Sequence, residues 1–155
     1  MQDRARSFAV IAHGDQIYGE NQLYERHLAA VVKVIRDWTD DAELISAAWL
    51  HDTLEDTPTR IDDLADQFSE RVASLVWAVT AEGDVRAEKM DAIYRKIAAC
   101  PDAALVKLAD RVANVEAAPA GSNHSRRYIG EREAFEQAIR SFVPADAWDR
   151  LDRAY

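Results

Sequence analysis

His51 and Asp52 stand side by side inside the run AAWLHDTLEDT, residues 47–57. A second histidine, His27, lies upstream in LYERHL, and a second aspartate, Asp110, downstream in LVKLADRVANV. Imidazole nitrogen combined with carboxylate oxygen is a donor set for a hard-to-borderline divalent ion such as manganese, iron or zinc. Neighbouring side chains on a helix point about 100° apart. His51 and Asp52 therefore converge on one ion only at a helix end or in a crevice between helices. A buried aspartate beside a buried histidine is costly unless charge or hydrogen bonds compensate it, and an ion compensates it. Taken alone, the dipeptide is explained as simply by a solvated helix end.

Glu55 and Asp56 follow one turn later, and Glu55 shares a helix face with both His51 and Asp52. A carboxylate so placed can take a proton from a metal-bound water or return one to a leaving oxygen. The competing explanation is an acidic helix end before Pro58. Asp110 and Asn114 are one turn apart, and Lys107 lies one turn before Asp110. Leu105, Leu108, Val112 and Val115 take up much of that helix's inward surface, so at least an edge of Asp110 should be buried. A salt bridge to Lys107 or Arg111 would explain Asp110 without any site. His27 and His13 both read, in isolation, as hydrogen-bonded core histidines, and His13 is left as an anchor of the first helix. His124 reads as a solvated loop residue.

These residues need a scaffold. A chain of 155 residues with 48% apolar and 30% charged residues is one globular domain able to bury most of its apolar surface. A net charge of −9 argues against a nucleic-acid or anionic-membrane surface, so a polyanionic substrate needs a local basic pocket. The lone Cys100 cannot form an internal disulfide, which fits a reducing, cytoplasmic setting. No apolar stretch approaches the roughly 20 residues that span a bilayer. Self-association is left open.

Apolar residues recur at helical spacing almost throughout. The pattern predicts helices over Gln2–Tyr18 (Phe8, Ile11 and Ala12 inward), Leu23–Trp38 (stripe Leu28, Val31, Val32, Ile35, Trp38) and Ala42–Leu54, capped by Asp40 or Asp41. Thr59 is the expected cap of a helix over Ile61–Phe68, with Asp62 at its third position. Helices over Glu70–Val79, Arg86–Ala99, Pro101–Ala117, Ser125–Phe142 and Ala145–Ala154 follow. No segment shows sustained alternation. The fold class is all-α, a single-domain bundle of eight to ten helices, roughly, by the length of such segments.

The order His…His-Asp…Glu-Asp…Asp-x-x-x-Asn resembles the HD-domain phosphohydrolases. More narrowly, it resembles the hydrolase domain of the alarmone synthetase-hydrolases of the RelA/SpoT type and their small stand-alone relatives. The matching pieces are Ala12-His13-Gly14-Asp15-Gln16, Tyr24-x-x-His27, LHDTLEDT (50–57), FSERVASLVWAVT (68–80) and LVKLADRVANV (105–115). They run collinearly over residues 5 to 117, with the helices of 125–155 completing the bundle. The resemblance implies that His27, His51, Asp52 and Asp110 bind one Mn²⁺, with Fe²⁺ or Zn²⁺ as substitutes. It implies that Glu55 and Asp56 handle the attacking water and its proton, and that Asn114 helps to hold a nucleotide. The implied reaction removes pyrophosphate from the 3′-position of an alarmone nucleotide.

Arg86 and Lys89 match a basic pair that the family places facing the site, and Lys107, Arg111, Arg126, Arg127 and Tyr128 are further substrate contacts to consider. Tyr18 and Tyr24 complete that expectation. Where guanosine-specific relatives carry a cluster of arginine and lysine after the AHxxQ motif, this chain has Ile17-Tyr18-Gly19-Glu20. Tyrosine can stack on a base but cannot reproduce arginine's bidentate contacts, so adenosine alarmones stand beside guanosine ones. The other classes are an HD nucleotidase acting on ordinary nucleotides and an antitoxin-like module acting through alarmone removal. A di-iron oxygenase would need extra histidines between Asp52 and Asp110, and there are none.

Overall fold

The computed structural model describes residues 1–155. The chain runs through α1 (Gln2–His13), a hairpin of β1 (Ile17–Tyr18) and β2 (Gln22–Leu23), α2 (Tyr24–Arg36), α3 (Ala42–Leu50), α4 (Thr53–Asp56), α5 (Ile61–Gln67) and α6 (Glu70–Val79). It continues with α7 (Arg86–Ala99), α8 (Ala103–Ala117), α9 (Asn123–Ile139), a 3₁₀ turn (Arg140–Phe142) and α10 (Ala145–Ala154). The all-α expectation holds, with the two-residue hairpin as the one departure.

α8 is the axis of the bundle. It packs against α2, α3, α6, α9 and α10, and its alanines at 103, 104, 109 and 113 let those neighbours approach closely. Only Lys107, Asn114 and the last turn reach toward the surface. One apolar core of 38 residues draws on every helix but α4, including Phe135, Ile139, Trp148 and Leu151 from the C-terminal helices. Each large aliphatic or aromatic member contributes about 1.5–3 kcal/mol on leaving water.

Local departures from the predicted elements have identifiable causes. α1 ends at His13 rather than Tyr18 because Gly14 takes φ 53°, ψ −123°, a conformation that favours glycine. Ile11 faces water at 80% exposure while Ala5 and Ala9 are buried: the inward face of α1 is the alanine face. Tyr18 pairs with Gln22 across a three-residue turn, where Gly19 (φ 59°) and Asn21 (φ 57°) supply left-handed backbone. α5 is capped one residue later than expected: the Arg60 N–H donates to Asp63 Oδ2 at 2.8 Å. α8 begins at Ala103 after a Pro101-Asp102 turn, and α9 begins at Asn123, which puts His124 in its first turn rather than in a loop.

The predicted helix over Ala42–Leu54 breaks at the residues that matter most. α3 stops at Leu50, and Asp52 takes φ −102°, ψ 0°, the sparsely populated bridge region. The carbonyls freed by the break are satisfied locally. The Thr53 hydroxyl donates to Leu50 O at 2.7 Å, and His51 Nδ1 donates to Ala48 O at 2.9 Å.

Candidate metal centre

That break lets adjacent residues converge. One ligand-type atom each from His27, His51 and Asp52 lies within 4.8 Å of the other two. Asp110 reaches the same place from α8: its Oδ1 is 3.4 Å from His27 Nε2 and 3.6 Å from His51 Nε2. Asp52 Oδ2 is 2.9 Å from His51 Nε2 and 3.8 Å from His27 Nε2. Two imidazoles and two carboxylates from α2, the α3–α4 break and α8 thus face one point. Both histidines are buried, at 4% and 3% exposure.

The arrangement fits a divalent cation. His51 Nε2 is fully buried, and because Nδ1 is committed to Ala48 O it is the nitrogen left to face the carboxylates. Nε2 points at two of them, 2.9 Å from Asp52 and 3.6 Å from Asp110. There it can carry a proton shared with them or, once deprotonated, offer its lone pair to a cation. Burial opposes charge on His51, yet Asp52 and Asp110 more than offset it and lift its pKa well above the usual value. Burial likewise opposes ionisation of Asp52, but His51 pulls it down to about 2. Asp110 is also driven well below the carboxylate range, against burial, chiefly by Lys107 and the two histidines. A pocket that keeps two carboxylates ionised beside buried imidazole is one that calls for positive charge.

A second layer of hydrogen bonds fixes these side chains. The Tyr24 hydroxyl donates to Asp52 Oδ2, and burial followed by Asp52 raises the phenol's pKa so that it stays a donor. Lys107 Nζ donates to Asp110 Oδ2 at 2.9 Å, and Asn114 Nδ2 to Asp110 Oδ1 at 2.7 Å. The Tyr18 hydroxyl donates to Asn114 Oδ1 at 2.7 Å. Its ring stacks on that of His27 at 4.5 Å, and burial pushes its pKa up to about 12.

The cluster forms the floor of a cavity of about 400 Å³. Tyr18, Tyr24, His27, Asp52, Asp110 and Asn114 line it, together with Glu55 and four cations, Arg86, Lys89, Lys107 and Arg127. A protein of net charge −9 therefore gathers basic side chains around this cluster. Lys107 is paired with Asp110, and Arg86 donates to Glu131 at 2.8 and 3.1 Å. Lys89 and Arg127 make no ion pair. A second cavity of about 510 Å³ adjoins the first, sharing Tyr18 and His27 and continuing over Ala30, Ala113, Ala117 and Pro119.

The remaining candidates separate. Glu55 lines the cavity and accepts the Ala81 N–H at 2.9 Å. Asp56 stands outside the lining and accepts from Gln16 Nε2 at 3.2 Å. Arg111 stands outside the cavity lining: it is buried, pairs with Glu131 at 2.8 Å and lies between the rings of Tyr128 and Phe135. Tyr128, covered by that guanidinium, stands outside the lining, and Arg126 is taken up by Gly121 O and Asn123. Sequence reasoning named Gln16 only as the end of the AHxxQ motif and gave it no role; it accepts from His13 Nδ1 at 2.8 Å and ties α1 to Asp56.

The family model described as the HD domain matches residues 5–135, and the chain belongs to that family. It is 40% identical over 118 residues to the guanosine-3′,5′-bis(diphosphate) 3′-pyrophosphohydrolase of Aquifex aeolicus, covering 73% of this chain and 17% of that protein. To the bifunctional (p)ppGpp synthase/hydrolase SpoT of Escherichia coli it is 30% identical over 133 residues, 81% of this chain and 19% of the other. The chain thus spans under a fifth of the length of these relatives. A solved structure described as a metazoan ortholog of SpoT that hydrolyzes ppGpp superposes with a TM-score of 0.83 at 22% identity, covering 99% of this chain and 92% of that one. That likeness shows the fold. No helix is long and apolar enough to cross a membrane.

Proposed function

We propose that this protein is a divalent-metal-dependent hydrolase that removes the 3′-pyrophosphate of an alarmone nucleotide, guanosine or adenosine based, releasing pyrophosphate. The observation that carries the reading is the convergence of His27, His51, Asp52 and Asp110 within 3.8 Å contacts on the floor of a cavity rimmed by cations. The likeness to relatives named as 3′-pyrophosphohydrolases supports the choice of substrate class. The four residues would hold one ion, with Mn²⁺ the first choice. When bound, such an ion supplies an activated water and neutralises charge on the attacked phosphorus.

The chain's own groups divide the remaining work. Glu55, anchored on the Ala81 amide, faces the cavity with its carboxylate and serves as the base for the attacking water. Asp56, one residue on, is the second carboxylate of the pair, held by Gln16. Lys89 and Arg127, free of carboxylate partners, receive the phosphates, with Arg86 and Lys107 beside them. Tyr24 and Asn114 hold Asp52 and Asp110 in place as the substrate docks.

The test incubates the purified protein with Mn²⁺ and 3′-pyrophosphorylated guanosine and adenosine nucleotides and separates the products. Release of pyrophosphate from either supports the reading. Stoichiometric metal binding with orthophosphate or triphosphate released instead would move the protein to the nucleotidases, and no turnover of either nucleotide would end the alarmone reading.

A further inference from the structure

Tyr18 was expected to offer its ring to a base, yet one face of that ring is already taken by His27, at 4.5 Å and 18° between planes. Its hydroxyl is committed as well. Asp110 Oδ1 can only accept, so the Asn114 group that bonds it at 2.7 Å is the amide Nδ2. The amide oxygen then faces Tyr18, which must donate, at 2.7 Å. The order is Tyr18 O–H to Asn114 Oδ1, and Asn114 Nδ2–H to Asp110 Oδ1. That last oxygen is the one facing both histidines.

We propose that Tyr18 is a positioning residue for the ligand cluster, holding His27 by stacking and the ligand oxygen of Asp110 through Asn114. His27 belongs to α2 and Asp110 to α8, and Tyr18 comes from neither. It comes from β1, where pairing with Gln22 sets it between the two helices. The hairpin therefore acts as a strap across the two ligand-bearing helices, and the affinity of the site for its ion depends on the strap. Tyr18, with His27, also lines both cavities, so the strap sits at their junction. Partners that orient metal ligands typically govern about 10–100-fold in metal affinity.

The proposal rests on the metal-site reading but not on the nucleotide, so the test uses Mn²⁺ alone, titrated calorimetrically into the metal-free protein. Tyr18→Phe keeps the stack and loses the hydroxyl, and is expected to raise the Mn²⁺ Kd about tenfold. Tyr18→Leu loses both and is expected to raise it further. Asn114→Leu breaks the same relay from its other end. In the Asn114→Leu background, Tyr18→Phe should then cost nothing more, because the two changes share one path. Thermal melts of the metal-free variants serve as the control for folding.

Wild-type Kd in both Tyr18 variants, or effects of Tyr18→Phe and Asn114→Leu that simply add, would overturn the positioning role while leaving the metal site standing. A wild-type protein that binds no Mn²⁺ would overturn the metal reading and this proposal with it.

Discussion

His51 Nδ1 donates to the carbonyl oxygen of Ala48 at 2.9 Å, and this bond leaves Nε2, 2.9 Å from Asp52 Oδ2, as the nitrogen that faces the carboxylates. The bond exists because α3 ends at Leu50, which frees the Ala48 carbonyl from its usual partner one turn on. A helix end thus selects the tautomer of a metal-type ligand. Without an ion, a proton on His51 is what neutralises the two carboxylates, so ion and proton compete for one lone pair.

Mn²⁺ uptake is accordingly expected to expel about one proton near neutral pH. The folded pKa of His51 is raised, against burial, by Asp52 and Asp110. A raised pKa means that the protonated ring stabilises the metal-free fold fully below the unfolded value, about 6.5. That contribution is lost as pH rises through the folded value. Metal affinity should therefore climb over the same window. Calorimetry in two buffers of different ionisation heat reads the released proton directly. No proton release, with a flat affinity across roughly pH 6 to 8, would refute the competition.

Glu55→Gln separates chemistry from binding. The amide retains an oxygen for the Ala81 N–H, which Glu55 Oε2 accepts at 2.9 Å, but it cannot take a proton. The expected loss is about 10²–10⁴ in kcat, with Mn²⁺ affinity near wild type. Asp110→Ala should do the reverse, abolishing metal binding while the bundle stays folded. If Glu55→Gln turned over at wild-type rate, the base would have to be sought elsewhere.

The bundle was legible because helical periodicity is a property of local sequence. The four converging residues were legible only through the family resemblance, which joins residues that singly read as a core histidine, a solvated helix end and a salt-bridged aspartate. What was not legible lies in breaks and in second partners. The stop at Leu50 has no glycine or proline to mark it; AELISAAWL runs on into HDTL without punctuation, and only the bridge conformation of Asp52 shows that the two side chains can meet. Arg111 looked like a phosphate contact because its neighbour Asp110 is in the site. One residue further on, about 100° around the helix, it points instead to Glu131 and the rings of Tyr128 and Phe135. Tyr18 could be placed near the site but not oriented, since its turn depends on left-handed backbone at Gly19 and Asn21.

Lys89 and Arg127 line the cavity without a carboxylate partner, whereas Arg86 and Lys107 are each committed to one. Losing an unpaired cation should therefore be felt by an anionic substrate alone. Lys89→Ala and Arg127→Ala are each expected to raise KM about tenfold, the scale of one charge-assisted hydrogen bond, with metal affinity unchanged. Raising the salt concentration should narrow the gap to wild type. Steady-state kinetics at two ionic strengths tests this, and an unaltered KM in both variants would remove the pair from the phosphate site.

Asp41 offers a test of whether the far end of α3 matters to the site. Its Oδ1 accepts from the N–H groups of Glu43 at 2.9 Å and Leu44 at 3.2 Å, and Arg71 Nη1 donates to its Oδ2 at 2.9 Å. Asp41→Ala orphans both N–H groups, so it should cost about 1–2 kcal/mol, a drop of roughly 2–8 °C in melting temperature for a domain of this size. Burial opposes ionisation of Asp41, but Arg71 and the two N–H groups prevail and hold its pKa below the usual 3.8. A depressed pKa gives stability that is present above the unfolded value and lost as pH falls through the folded one. The gap in melting temperature between wild type and variant should therefore be widest near neutral pH and shrink below about pH 4. Mn²⁺ affinity should not change, because seven consecutive buried residues, Leu44 to Leu50, separate the cap from His51 and hold the helix's other end. A variant that melted like wild type would show the cap to be idle, and one that lost the metal would show α3 transmitting disorder along its whole length.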